Sequence, residues 1–271
     1  MSTSKNTLIF ILLIGAVIVL ILGSIELFPL WQAKSPSLPI ASTDTQTSTA
    51  TFPRELRDAV GYTLTIPSRP RRIVSQTLAT DEILLALCPT SRIVAVSAFA
   101  RDAKYSNVFE SAQLIAGQTT DNVEQILGFN PDIIFVASYS RLETVELLQA
   151  TGAPVFRFAN FQTITDIQNN IKTIGYAIGE EQRAATLIAQ MEHEIQTIRA
   201  HIPPDRQPPR VMSYSLGNYT AGSHTTFDNM VNIVGAINVV AEHGIAQHVK
   251  ISEEQILAWQ PDFIVTHASI G

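Results

Sequence analysis

Hydrophobic and polar positions divide the chain into three zones. From Leu8 to Leu22 the sequence is unbroken and apolar, and the stretch runs on through Gly23, Ser24 and Ile25. At 1.5 Å per residue, eighteen helical residues span roughly 27 Å, close to the thickness of a bilayer core. From Ala33 to Thr51 Ser, Thr and Pro dominate, in pieces such as SPSLP and STDTQTSTAT. Such a segment buries too little apolar area to order itself and reads as a tether. Beyond it, short apolar runs alternate with stretches of helical period to the end of the chain.

These runs predict a series of elements. Tyr62–Ile66 is a short strand, which Pro67 and Pro70 confine to an edge. Arg72–Ser75, Arg92–Ser97, Leu114–Ala116, Asp132–Ala137 and Pro154–Phe158 are buried strands. Thr80–Leu87 is a helix with Thr80 as its N-cap, and Glu143–Thr151 is a helix closed by Gly152. Ile164, Ile167, Ile171 and Ile174 form one stripe of a helix over Thr163–Ile178, which Gly179 interrupts. Glu180–His201 is a long helix, ended by Pro203, Pro204, Pro208 and Pro209, before a strand at Arg210–Tyr214. Strands separated by helices indicate βαβ units with a mainly parallel sheet. The fold class is therefore α/β, with two lobes joined by one long rigid helix. The expected boundaries are 1–30 for an anchor or signal segment and 31–52 for the tether. The first lobe takes 53–179, the linking helix 180–202, and the second lobe 203–271.

One internal repeat is more specific than any single element. Glu124–Ile134 reads EQILGFNPDII and Glu254–Ile264 reads EQILAWQPDFI; seven of the eleven positions are identical. Each copy is a short helix, a turn closed by Pro, and an Asp that opens a buried strand. Duplication at this long spacing means two lobes of similar topology rather than a solenoid. A packed joint explains Ile126, Leu127, Pro131 and Ile134, but makes no demand for a carboxylate at Glu124 or Glu254. After Ile264 only a few residues follow, which reads as a second lobe that is incomplete.

Charge and composition narrow the function. Eighteen Lys and Arg against 24 Asp and Glu give a net charge of −6, with no basic block, so nucleic acid is set aside as a partner. The single Cys, Cys88, excludes an intramolecular disulfide framework and reads as a packed thiol. It also closes the lipoprotein route, which needs a Cys directly after the apolar run. No A-x-A site follows that run, so the segment reads as an uncleaved anchor, with a cleaved signal as the alternative. Either way the rest of the chain is exported, tethered to the inner (plasma) membrane or secreted. No G-x-S-x-G elbow, Walker loop or G-x-G-x-x-G is present, and Asp81–Glu82 reads as acidic dressing of a helix start, so no enzyme is expected. None of the six His precedes the linking helix, so a direct Zn or Mn binder drawing imidazoles from both lobes is the weaker rival.

From about Pro53 onward the sequence resembles the solute-binding proteins of ATP-driven importers, in the branch serving iron–siderophore complexes, heme and vitamin B12. The pieces that carry the resemblance are GYTLTIPSRPRRIVSQTLATDEILLAL, RIVAVS, NVEQILGFNPDIIFV, TDIQNNIKTIGYAIGEEQRAATLIAQM and YTAGSHTTFDNMVNIVGAINVV followed by ISEEQILAWQPDFIV. The resemblance implies two α/β lobes around a rigid helix, the class III periplasmic-binding-protein arrangement, with the ligand between the lobes. It implies that Glu124 and Glu254 dock on the two subunits of an ABC transporter permease. It implies no cofactor.

The residues expected to meet the ligand follow strand ends. In the first lobe these are Gln76 and Thr77, then Phe99, Arg101 and Tyr105, then Tyr139 and Arg141. In the second lobe they are Tyr214, Tyr219, His224 and His267. Rings supply apolar contact and Arg a fork for carboxylates. With two arginines in the set, the expected ligand is a ferric chelate of citrate or siderophore type. Cobalamin and heme are the alternatives.

Overall fold

The computed structural model describes residues 50–215 and 217–266. The apolar segment 1–30, most of the tether and His267 lie outside the described residues. Among those described, no helix is long and apolar enough to cross a membrane. They divide into two compact units, one of residues 50–160 with 166–189, the other of residues 161–165 with 190–266.

The first unit is built on a five-stranded parallel sheet: β3 (Ile73–Ser75), β4 (Ile93–Ser97), β5 (Gly117–Thr119), β6 (Ile133–Ala137) and β7 (Val155–Phe158), in the order β5-β4-β3-β6-β7. Strands covered on both faces read as continuous apolar runs, and β6, IIFVA, is buried at all five positions. Between the strands run α1 (Leu78–Leu87), α2 (Phe109–Ala112), α3 (Val123–Gly128) and α4 (Leu142–Ala150). Val74, Ile126, Ile134, Val136, Val145, Leu148 and Val155 form one apolar core. A separate antiparallel pair, β1 (Arg54–Arg57) and β2 (Thr63–Ile66), stands outside the sheet. The sequence pattern indicates only its second strand.

Two sequence expectations shift. The helix α1 starts at Leu78, and Thr77 rather than Thr80 caps it, its hydroxyl accepting the Thr80 amide. Thr80 sits at the third helical position with its hydroxyl 2.6 Å from that of Ser75. The strand expected at Leu114–Ala116 lies instead at Gly117–Thr119, and Leu114 is exposed. The reason is steric. A Cβ at Gly117 would fall 2.2 Å from the Val94 carbonyl oxygen and 2.7 Å from the Phe129 ring, so only glycine lets β5 reach β4.

The sheet is followed by α5 (Ile164–Ile178) and α6 (Glu181–Ala200). The predicted isoleucine stripe of α5 is buried. Gly179, at φ 75°, breaks the helical path, and Glu180 locks the corner. Its buried carboxylate accepts from Arg69 at 2.6 Å and Arg92 at 2.7 Å, with Arg183 at 3.6 Å. The division between the two units falls within α6.

The second unit carries a three-stranded parallel sheet, with β8 (Arg210–Tyr214) flanked by β10 (Ile237–Asn238) and β12 (Phe263–Thr266). An antiparallel pair is formed by β9 (Tyr219–Ala221) and β11 (His248–Lys250). Helices α7 (Thr226–Ile233), α8 (Val239–Glu242) and α9 (Glu253–Trp259) complete it. Met212, Val239, Val240, Ile251 and Trp259 form its core, and the His243 ring stacks on Trp259 at 4.9 Å. The parallel sheets of the two units share no strand.

The repeat is one joint built twice. In the first unit the Asp132 carboxylate accepts the amides of Arg71 and Arg72 at 2.7 and 2.9 Å, and the Asp132 amide donates to the Arg72 carbonyl. The Arg72 guanidinium donates to the carbonyls of Phe129 and Asn130 at the end of α3. In the second unit Asp262 accepts the Arg210 amide at 2.7 Å and donates to its carbonyl, while the Arg210 guanidinium donates to the Trp259 carbonyl at the end of α9. Asn130 and Gln260, both at positive φ, precede Pro131 and Pro261. Glu124 and Glu254 take no part in these bonds. Both stand exposed in first turns, behind the caps Asn122 and Ser252.

Candidate ligand-binding site

In an open parallel sheet, loops leaving the carboxyl ends of neighbouring strands diverge where the strand order reverses, and a crevice opens there. In the first unit the chain runs from β3 outward to β4 and β5, then returns to β6 on the other side of β3. The reversal therefore lies between β3 and β6. The loop after β3 holds Gln76 and Thr77; the loop after β6 holds Tyr139 and Arg141.

Across that point the Thr77 side chain lies beside the Tyr139 hydroxyl, although 64 % of the tyrosine is exposed. Desolvation there, and more weakly the charge of Asp81, push the phenol above its ordinary range, against the pull of Thr77. Gln76 donates to the Thr120 carbonyl at 3.3 Å, tying the β3 loop to the segment that follows β5.

On the other side of β3 from Tyr139, the loop after β4 supplies two more exposed rings. Phe99 is 59 % and Tyr105 52 % exposed, and they meet edge to face at 6.0 Å. Phe99 lies in a 3-10 turn, Phe99–Arg101, that places Arg101 differently from its neighbour. The Arg101 guanidinium turns back to the carbonyls of Ile115 and Gly117, bracing the entry to β5. Arg141 is exposed and held by Glu143 at 3.0 Å, with Asp121 at 3.9 Å. Both arginines expected to meet a ligand carboxylate are thus engaged within the protein. The edge presents three exposed rings, and rings exposed together are surface that gains by being covered.

Beneath this edge lies a polar network that the sequence pattern does not reveal. Asp81 is fully buried in α1. Its carboxyl accepts the Ser97 amide at 3.2 Å and the Ser97 hydroxyl at 2.5 Å. Desolvation dominates over these bonds and pushes its pKa up to about 7. Glu82 is also raised to about 7 by desolvation, against a hydrogen bond from Asn107. The acidic pair is therefore more than dressing of a helix start. A sequence clue exists in the small hydroxyl residues Ser75, Thr77 and Thr80 just ahead of Asp81, but the bonds that join them, and those from Ser97 to Asp81, need the fold.

The second-unit residues are more dispersed. The Tyr214 hydroxyl donates to Asn218 at 2.9 Å. Tyr219 opens β9 with 41 % of its surface exposed, and the Lys250 ammonium lies 5.2 Å above its ring. His224 is exposed at φ 59°. Glu254 is held below the usual carboxylate range by a hydrogen bond from Ser252. Among the described residues no three His, Cys, Asp or Glu side chains gather closely enough to hold a metal ion.

Comparison with known proteins places this architecture. The profile of the periplasmic binding protein family matches residues 73–270. The chain belongs to that family. The binding protein is similar to a cobalamin-binding protein of Halobacterium salinarum, with 28 % identity over 242 residues covering 88 % of this chain and 64 % of the relative. The chain thus spans a little under two thirds of that relative's length. It is 26 % identical to an uncharacterized ABC transporter substrate-binding lipoprotein, YvrC, of Bacillus subtilis, covering 80 % of this chain and 70 % of the other. Among solved structures, the periplasmic heme-binding protein RhuT of Roseiflexus sp. RS-1 in apo form superposes with a TM-score of 0.62 at 28 % identity, covering 72 % of this chain and 76 % of that one. The α/β fold expected from the sequence, with helices flanking parallel strands, is the fold of these proteins.

Proposed function

We propose that this chain is the extracytoplasmic capture component of an ABC importer, and that it binds a large metal complex of corrinoid or heme type. The observation that carries the ligand class is the carboxyl edge of the first unit's sheet: its loops expose Phe99, Tyr105 and Tyr139, while Arg101 and Arg141 are occupied. Broad apolar ligand faces gain from covering rings, and an anionic chelate gains most from arginine forks. Two similar proteins, a cobalamin-binding and a heme-binding one, agree with this preference. A ferric chelate of citrate or siderophore type is the second reading. It is favoured by Lys104, whose ammonium lies over the Tyr105 ring, 5.4 Å from its centre. The mechanism is capture and delivery without bond chemistry.

The test is a fluorescence titration of the full-length protein with cyanocobalamin, hemin, ferric citrate and a ferric hydroxamate. Trp259 is the chromophore within the described residues. Saturable quenching by cyanocobalamin or hemin, reduced at least tenfold in affinity by Tyr139→Ala with Phe99→Ala, is expected. Binding of ferric citrate alone would support the second reading, and silence across the panel would defeat both.

Delivery is assigned to the repeated glutamates. Their exposure, and their place outside the bonds that build the repeated joint, fit rim charges that set docking rate and register on a permease. Replacing Glu124 and Glu254 together by Ala should lower transport while leaving ligand affinity within about twofold. Loss of binding instead would assign them another role.

A further inference from the structure

Two adjacent acids of α1 hold the two ends of one loop. The loop runs from the end of β4 to the start of α2, over residues 98–108, and carries Phe99 and Tyr105. At its start the Asp81 carboxyl accepts the Ser97 hydroxyl at 2.5 Å and the Ser97 amide at 3.2 Å. The same hydroxyl accepts the Ala100 amide at 3.3 Å, which closes the Phe99–Arg101 turn onto the strand end. At the other end the Asn107 side-chain amide donates to the Glu82 carboxyl at 3.3 Å. Successive helical positions point about 100° apart, so one helix reaches both ends. Inside the loop the Asp102 carbonyl accepts the amides of Tyr105 and Ser106, at 3.0 and 2.9 Å. Ala100, Ser106 and Val108 are buried, whereas residues 102–105 are exposed. Anchored ends with an exposed middle leave the edge-to-face contact of Phe99 and Tyr105 dependent on these two grips.

We propose that Asp81 and Glu82 are positioning residues that fix Phe99 and Tyr105 for the ligand by gripping their loop at both ends. The proposal rests on the carboxyl edge being the ligand site. Both grips survive in the neutral acids. The Asp81 oxygen that takes the Ser97 hydroxyl also takes the Ser97 amide, so one unprotonated oxygen is enough. Glu82 likewise meets Asn107 through one oxygen. What protonation changes is the cost of closure. The closed loop keeps both acids from water, and burial raises them to about 7 from ordinary values of 3.8 and 4.5. An open loop hydrates them, and they ionise at lower pH. The closed form therefore binds more protons and is favoured as pH falls below about 7. A ligand that needs the closed loop loses apparent affinity in proportion to the fraction of molecules that are open. Affinity should thus decline as pH rises toward 7 and level off above it.

The charged groups around the pair leave burial as the leading cause at both acids. On α1 the charge of Glu82 adds to the rise at Asp81. The strands β3 and β4 offer no titratable side chain. Within the loop, Arg101 is bonded to the carbonyls of Ile115 and Gly117. The Asp102 carboxyl accepts the Lys104 amide at 2.9 Å, and the Lys104 ammonium lies over the Tyr105 ring. From the loop after β6, Tyr139 feels the charge of Asp81, and its phenol is pushed further from the range in which the acids titrate. The next helix, α2, brings Glu110 in its first turn. At the far end of α1, Arg183 donates to the Leu87 carbonyl.

The experiment combines amide hydrogen exchange of the full-length protein with titration by cyanocobalamin and hemin, each as a pH series. Corrected for the intrinsic pH dependence of exchange, protection of the Ala100 and Ser106 amides should fall as pH rises to about 7 and then level. Both should exchange faster than the amides of β6. Exchange in step with β6 would mean that the loop opens only with the whole unit, and overturns the proposal. The double variant Asp81→Asn with Glu82→Gln keeps the acceptor oxygens but cannot ionise. Its loop protection should be flat with pH, and it should bind ligand at least as tightly as the wild type. Asp81→Ala and Asn107→Ala each release one end. Each should lower loop protection and ligand affinity about tenfold, the scale of one lost hydrogen bond to a charged group. Asn107→Ala leaves both acids in place and serves if Asp81→Ala does not fold. Loop protection that is flat in the wild type, or that still falls with pH in the double variant, overturns the proposal, as does unchanged affinity in Asn107→Ala. If neither ligand binds the wild type while loop protection behaves as expected, the ligand reading fails and the grip on the loop stands. Intact binding with flat loop protection is the reverse case.

Discussion

At the scale of single residues, burial decides what the acids and the thiol do. The folded state keeps the Asp81 proton up to about pH 7, whereas the unfolded chain loses it near 3.8. Between these values the folded state binds more protons, so stability is full below about pH 4 and declines as pH rises toward 7. At about 1.4 kcal/mol per pH unit the decline due to this one group is on the order of 4 kcal/mol at most. Urea unfolding as a function of pH should show it, and Asp81→Asn should flatten it, with the rest of the slope removed by adding Glu82→Gln. Cys88 gives a second check. Buried and pushed up to about 12, its thiol should resist a thiol-reactive dye in the folded protein and react on unfolding. Rapid labelling of the native protein would show that the end of α1 opens. Neither property was legible in the sequence beyond the apolar run around Cys88, because desolvation of a side chain is supplied by residues distant in the chain.

At the scale of elements, the clearest signals came from period and from punctuation. The runs at Ile73–Ser75, Ile93–Ser97 and Ile133–Ala137 are apolar because parallel strands are covered on both faces, and the sequence reads them almost to the residue. Errors fell where one backbone contact overrides local pattern. Leu114–Ala116 has the composition of a strand, but the hydrogen-bonded approach to β4 is possible only at Gly117. Gly117→Ala should therefore destabilise by more than about 2 kcal/mol in denaturant unfolding; a neutral result would mean that β5 can move aside. The repeated joint makes a paired prediction. Asp132 and Asp262 each accept backbone amides as charged acceptors, an interaction worth about 1.5–3 kcal/mol. Asp132→Ala and Asp262→Ala should each lower stability by that order, and a cost at one position alone would show that the joint is not equivalent in the two units. The identities at Pro131, Asp132, Pro261 and Asp262 are thus explained by structure, and those at Glu124 and Glu254 are left for function.

At the scale of the whole molecule, a ligand that binds only the folded form stabilises it by mass action. Hemin or cyanocobalamin at a hundredfold excess over its dissociation constant should add about 2.7 kcal/mol, seen as a raised melting temperature. No rise at saturating concentration would count against the capture reading. Sequence alone determined the α/β class, the inner strands of the first unit's sheet, the long helix near 181–200, and the duplication of a helix–Pro–Asp–strand joint. Each of these depends on local periodicity, turn chemistry or identity along the chain, which a linear reading carries in full. Tertiary structure alone decided that Arg101 turns inward, that Arg141 is engaged, that loops at the carboxyl edge of the sheet expose three rings, and that Asp81 is buried against Ser97. These facts depend on which strands become neighbours. Side chains far apart in sequence meet only once β4, β3 and β6 lie side by side, and only then do distance and desolvation assign them their chemistry.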